Sequence, residues 1–237
     1  MNNPAAGAEP PAVPAEDPAT EAWAARLPEA CAHLATAHPP FGALIARVGP
    51  CQLRPHATRE PYEALIRAIA YQQLHGRAAE AILARLLAHH PAGFPAPAAV
   101  LAMDDTTLRA CGFSASKIAA LRDIAAGAAS GLVPTRAGAA ALSDEALIAR
   151  LTTLRGVGRW TVEMLLIFTL GRPDVLPVDD FGVREGWRLL MGLAEQPRPR
   201  ALAAIGRAWS PWRSIASWYL WRAADKTKKV KPSELTA

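Results

Sequence analysis

The sequence predicts an all-helical fold, and three observations carry that expectation. Apolar residues recur at three- and four-residue steps through most of the chain. Serine or proline stands at the start of several of these stripes, where a helix cap or a first helical position would fall. No stretch combines sustained strand alternation with turn residues. At 237 residues, 51% hydrophobic and 20% charged, the chain can form one large domain or two small ones and is too apolar for general disorder.

The elements follow in order. Residues 1–20 hold Pro4, Pro10, Pro11, Pro14 and Pro18 among alanines and a few acids, which predicts a disordered leader. Tyr62, Leu65, Ile66, Ile69 and Ala70 form a helical stripe behind Pro61, a residue suited to the first position of a helix. Ala79, Ile82, Leu83, Leu86 and Leu87 form the next, ending at His89-His90 and Pro91, a helix terminus rather than a metal site. Ile118, Leu121, Ile124 and Ala125 follow a cap at Ser114 or Ser116, and Leu147, Ile148, Leu151 and Leu154 follow Ser143. Ser210-Pro211 predicts a helix running to about Ala224, with Trp212, Ile215, Ala216, Tyr219 and Ala223 on one face. Trp221 points the other way, towards a second packing surface or a pocket wall. From Lys226 onward four lysines in six residues make a solvated basic tail.

A net charge of +5 and a pI near 9.4 permit a polyanionic partner without requiring one. No run of about 18 uncharged apolar residues and no basic-then-apolar leader appears, so a cytoplasmic protein without a membrane partner is expected. Cys31, Cys51 and Cys111 are widely spaced and too few for a four-cysteine zinc or iron-sulfur site, which makes them buried thiols of a reducing compartment. Only five of the 26 basic residues are lysine, and none lies between 118 and 225.

Between Leu151 and Phe181 the chain reads LTTLRGVGRWTVEMLLIFTLGRPDVLPVDDF. Gly156-Val157-Gly158 separates two apolar helices, the second starting near Arg159. Paired glycines permit a tight turn and close approach by a ligand, and the new N-terminus offers unpaired amides and the positive end of a dipole. This is either a phosphate seat or an ordinary helical turn.

The motif LRGVGRWT, followed after one apolar helix by VDD, resembles the helix-hairpin-helix DNA glycosylases, most closely the DNA-3-methyladenine glycosylase II group. Residues 62–79, 112–125 and 209–221 agree in the same order, so the resemblance spans roughly residues 60–222. It implies a two-lobed helical bundle, with residues 59–178 forming one lobe around the hairpin at 152–160. Residues 21–58 and 179–225 form the other. Some relatives carry an N-terminal β-rich domain; only about 60 residues precede the first match here, so the compact form without it is expected.

The resemblance also assigns roles. Asp180, twenty residues after Trp160, takes the catalytic position, and Asp179 becomes the helix cap; the alternative is that both aspartates only cap. Trp160 stands where bifunctional relatives carry a Schiff-base lysine, which implies base removal without strand cleavage. Trp160, Trp221 and Phe181 would make an aromatic pocket for an electron-poor alkylated base. Gln72, Gln73, Leu74 and His75 resemble the segment that fills the gap left by an extruded base; Gln73 aligns with the wedge, with Leu74 or His75 as substitutes. The alternative is a polar helix end. Gly156, Val157, Gly158, Arg159 and Thr161 would meet DNA. The carbonyls of Thr152, Leu154 and Val157 map to a monovalent cation site for sodium or potassium.

The function implied is a monofunctional glycosylase of base excision repair. It would extrude alkylated purines of the 3-methyladenine or 7-methylguanine type from double-stranded DNA and hydrolyse the N-glycosidic bond, needing no cofactor and acting as a monomer. A non-catalytic helix-hairpin-helix DNA-binding module, and a glycosylase for another damaged or mismatched base, are the alternatives.

Overall fold

The computed structural model describes residues 23–74 and 76–225, and among these every regular segment is helical. The predicted leader (1–20), the basic tail (226–237) and His75 lie outside the described residues. Residues 23–25 are helical, and two short helices follow, α1 (Leu27–Ala37) and α2 (Pro39–Val48). Eight more follow: α3 (Pro61–Tyr71), α4 (Gly76–Ala88), α5 (Pro97–Ala102), α6 (Asp105–Cys111), α7 (Ala115–Ala129), α8 (Arg136–Ala140), α9 (Asp144–Leu151) and α10 (Arg159–Phe168). The described residues end with α11 (Phe181–Met191), α12 (Pro199–Ile205), a 3₁₀ turn (Gly206–Trp209) and α13 (Arg213–Asp225).

The local signals act as their chemistry dictates. Pro61 opens α3, the Ser114 hydroxyl accepts from the Lys117 amide at the start of α7, and Ser143 accepts from the Ala146 amide at the start of α9. The last helix differs from expectation. It begins at Arg213 rather than at Pro211, because its cap comes from elsewhere in the chain: Asp174 accepts from the Arg213 amide at 3.3 Å and from its guanidinium at 2.7 and 2.9 Å. Ser210, expected to cap, donates its hydroxyl to Asp174 at 2.7 Å.

Helices α1, α2, α11 and α13 pack on one another, and so do α3, α4, α6, α7, α9 and α10 with α5 on α7. One continuous apolar core runs through both groups. The face of α13 carrying Trp212, Ile215, Ala216, Tyr219 and Ala223 is buried as expected, but Ser214, Ser217, Trp218, Leu220 and Ala224 are buried too. The reason is the crossing of α11. A Cβ on Gly186 would lie 2.0 Å from the Leu220 carbonyl oxygen, so the backbones meet where only glycine fits. The buried hydroxyls are satisfied, Ser214 donating to the Arg172 carbonyl and Ser217 to the Arg213 carbonyl.

Cys51 and Cys111 are buried, and burial pushes the Cys51 thiol up to about 12. Cys31 is only half-buried, its sulfur 3.3 Å from the Tyr219 hydroxyl.

Candidate active site and nucleic-acid interface

The hairpin is built from two successive turns after α9, in which the Leu154 amide donates to Leu151 and the Val157 amide to Leu154. Gly156 has φ +76°, and a Cβ there would come within 3.1 Å of Ala120 and 3.3 Å of Ile69, so this glycine is required by the fold. Gly158 is different. Its φ is −91° and a Cβ would meet nothing within 4 Å, so no contact inside the protein demands a glycine there. Val162 is the first amide of α10 to bond back into the helix, leaving residues 159–161 as its open first turn.

The side chains around the hairpin divide unequally. Val157 and Thr161 are buried, so only their backbone can face a ligand at the surface, and Thr161 instead lines a cavity. Arg159 donates to buried Glu163 at 2.9 Å and lies 3.8 Å from Glu145. Burial lifts the Glu163 carboxyl above its ordinary range against the pull of Arg159.

Asp180 stands at the N-terminus of α11, where the positive end of the helix dipole favours negative charge. One correction concerns its neighbour: the helix cap is Asp180 itself, not Asp179, since Asp180 Oδ1 accepts from the Val183 amide at 2.8 Å. The same oxygen accepts from the Trp221 indole N–H at 2.8 Å, and Oδ2 accepts from that of Trp160 at 2.7 Å. Cap and candidate catalyst are therefore one carboxylate. Gly182 makes this possible, because a Cβ there would lie 2.8 Å from the Trp221 ring and 3.2 Å from Asp180 Oδ1.

The predicted aromatic pocket is rearranged. Trp160, 48% exposed, lines a cavity of about 650 Å³ together with Tyr71, Met164, Phe168, His56, Arg59 and other residues of α3 and α10. Trp221 is not among its walls; it stacks on Phe168, with centroids 5.6 Å apart and planes at 26°. Phe181 is 67% exposed and lines a second recess of about 500 Å³ with Asp180 and Trp221. The Trp160–Asp180 bond joins the two depressions. Phe168 and Met164 carry no motif of their own, yet residues 160, 161, 164, 165 and 168 follow helical spacing on one stripe of α10. His56 and Arg59 gave no signal, because they come from a loop without periodicity. Burial, Arg59 and Arg67 all lower the His56 pKa, which favours neutral imidazole at the cavity.

Beside the cavity, the chain after α3 turns through Gln73 at φ +57°. Gln73 and Leu74 are exposed, whereas the Gln72 side chain donates to the Gly156 carbonyl at 2.9 Å. Gln72 is thus occupied with the hairpin.

A glycine hairpin, a helix-capping aspartate tied to two indoles and an exposed turn beside a cavity agree with what comparison finds. Residues 66–211 match the HhH-GPD superfamily of base excision DNA repair proteins, which is more than half of the chain. The chain belongs to the HhH-GPD superfamily. Among HhH-GPD relatives, DNA-3-methyladenine glycosylase 1 of Schizosaccharomyces pombe is 49% identical over 180 residues, covering 74% of this chain and 79% of that protein. The alkylbase DNA glycosidase-like protein mag2 of the same yeast is 35% identical over 199 residues, covering 83% and 93%. A solved structure of the S. pombe 3-methyladenine DNA glycosylase in complex with abasic DNA superposes with a TM-score of 0.76 at 43% identity, covering 86% of this chain and all of that one.

Proposed function

We infer that this HhH-GPD protein is a monofunctional DNA glycosylase of base excision repair that removes alkylated purines and leaves an abasic site. The observation that carries the chemistry is Asp180, with both oxygens held by N–H donors beside the cavity lined by Trp160. When the bond between C1′ and the base nitrogen breaks, its electron pair leaves with the base and positive charge develops on the sugar. A fixed carboxylate stabilises that charge. Three of its roughly four acceptor sites already hold N–H donors, which suits Asp180 to electrostatic stabilisation more than to deprotonating water. A cationic base such as 3-methyladenine or 7-methylguanine departs neutral, so little further assistance is needed. Water then adds at C1′ and its proton passes to solvent. The absence of lysine from 118 to 225 supports base removal without the Schiff base of a lyase.

The substrate form is double-stranded DNA, seated by the open amides at 159–161 and the uncrowded Gly158, and the protein acts as a monomer in the compartment that holds the DNA. No described helix is long and apolar enough to cross a membrane. The carbonyls of Thr152, Leu154 and Val157 are neutral oxygens of the hairpin's two successive turns, a donor set suited to sodium or potassium. Such an ion would brace the turn that presents the amides; the Thr152 hydroxyl, which donates back to Ile148 at 2.7 Å, takes no part.

Incubation of the purified protein with methylated duplex DNA should release free 3-methyladenine and 7-methylguanine, and strand cleavage should appear only after alkali. Release no greater than that of Asp180→Asn, with DNA binding intact, would identify a non-catalytic binding module instead. A panel of single-lesion duplexes separates alkylpurines from oxidised or mismatched bases.

A further inference from the structure

We propose that Lys117 is a positioning residue for base extrusion, fastening the end of α3 so that Gln73 and Leu74 are held ready to enter the duplex. The inference rests on the glycosylase reading above. Helix α3 ends at Tyr71, and the last carbonyls of a helix have no amide from a following turn. Lys117 Nζ reaches across from α7 and donates to two carbonyls at this end, Ala70 and Gln72, each at 2.9 Å. Two of the ammonium's three protons are thereby used, which leaves it poorly placed as a phosphate ligand. Burial lowers the Lys117 pKa, and the two carbonyl bonds work against that by favouring the charged ammonium.

Just beyond, the Gln72 side chain bonds the Gly156 carbonyl of the hairpin, and the Leu74 amide closes a turn onto Tyr71. Between these anchors lies Gln73 at φ +57°, the only non-glycine residue in the left-handed region among the described residues. Such a conformation persists only where the surroundings over-determine it. Here those surroundings are Lys117 on one side and the hairpin on the other. A wedge held in advance avoids the ordering cost of an untethered loop on insertion. The tie to Gly156 also sets the wedge in register with the amides proposed to seat the backbone.

The test compares single-turnover release of 7-methylguanine from two duplexes, one with the lesion paired to cytosine and one with it facing a one-nucleotide gap, where no partner has to be displaced. With Lys117→Met the paired lesion should be excised about tenfold to a hundredfold more slowly, and the gapped one within about twofold of the unaltered protein. Lys117→Arg should recover most of the loss, since a guanidinium can also donate to two carbonyls. A 2-aminopurine beside the lesion should brighten less on binding the Met variant. Equal losses on both duplexes overturn the proposal: with a shallower salt dependence of binding they indicate a phosphate contact, and with a lower melting temperature a purely structural role. Unchanged rates on both overturn it as well. Failure of the unaltered protein to release base from either duplex would sink the glycosylase reading instead, and the 2-aminopurine signal would still decide whether Lys117 governs extrusion.

Discussion

Asp180 combines two tasks that usually fall to different residues. It caps α11 through Oδ1 and holds two indoles through its two oxygens, so its position is set by α10, α11 and α13 together. Asp180→Asn should lower base release about a hundredfold to a thousandfold, because the fixed negative charge is lost, with DNA affinity retained. Trp160→Phe keeps a ring at the cavity but removes one charge-assisted hydrogen bond. Single-turnover release should then fall about tenfold or more. Arg159 illustrates a residue whose surroundings change its reading. Its partner Glu163 is 4% exposed, so Arg159→Ala strands a buried carboxylate and should cost about 1–2 kcal/mol, discounted for the exposure of the guanidinium. The Glu163 carboxyl is raised above 4.5 in the fold, so the folded chain takes up its proton before the unfolded one does. Acidification from neutral pH through that raised value should therefore narrow the variant's deficit in urea melts. An unchanged stability at pH 7 with weakened DNA binding would instead make Arg159 a phosphate ligand.

The helices show where local signals suffice and where they fail. Pro61, Ser114 and Ser143 open α3, α7 and α9 because a cap or a fixed φ acts within one turn, and such information is readable in four residues. The start of α13 is not set by Ser210-Pro211, because its cap is Asp174, 39 residues earlier. Burial alone would raise Asp174, but hydrogen bonds from Arg213 and Ser210 outweigh it and pull the carboxyl below 3.8. The stabilisation is present above that ordinary value and is lost as pH falls through the depressed one. Asp174→Asn should lower stability by about 1–2 kcal/mol at pH 7, the partial exposure of both partners included, and the difference should shrink in melts near pH 3. The α11–α13 crossing is less forgiving. Gly186→Ala places a methyl group on the Leu220 carbonyl and should cost about 3 kcal/mol, seen as a lower midpoint in chemical denaturation.

Across the protein as a whole, the charge of +5 includes a lysine-rich C-terminal segment, while the seat proposed for the phosphates is made of backbone amides. For about four phosphate contacts, raising salt from 50 to 200 mM should weaken duplex binding roughly a hundredfold, measurable by fluorescence anisotropy. The periodicity, the caps and the GVG turn with its VDD at a fixed interval were legible because each is local, and they sufficed for the helical class and the superfamily. What the sequence could not supply was which distant groups meet. Trp221 reaches Asp180 across 41 residues, Gln72 reaches Gly156 across 84, and Lys117 reaches Gln72 across 45. The cavity is likewise walled by Phe168 rather than Trp221, because the crossing of α11 on α13 turns that indole onto the carboxylate. Helix identity follows from neighbours along the chain, so the sequence by itself determined the elements and the kind of chemistry they carry. Side-chain partnership follows from how close two helices can approach, and only the tertiary packing decided which atoms hold Asp180 and the turn at Gln73 in place.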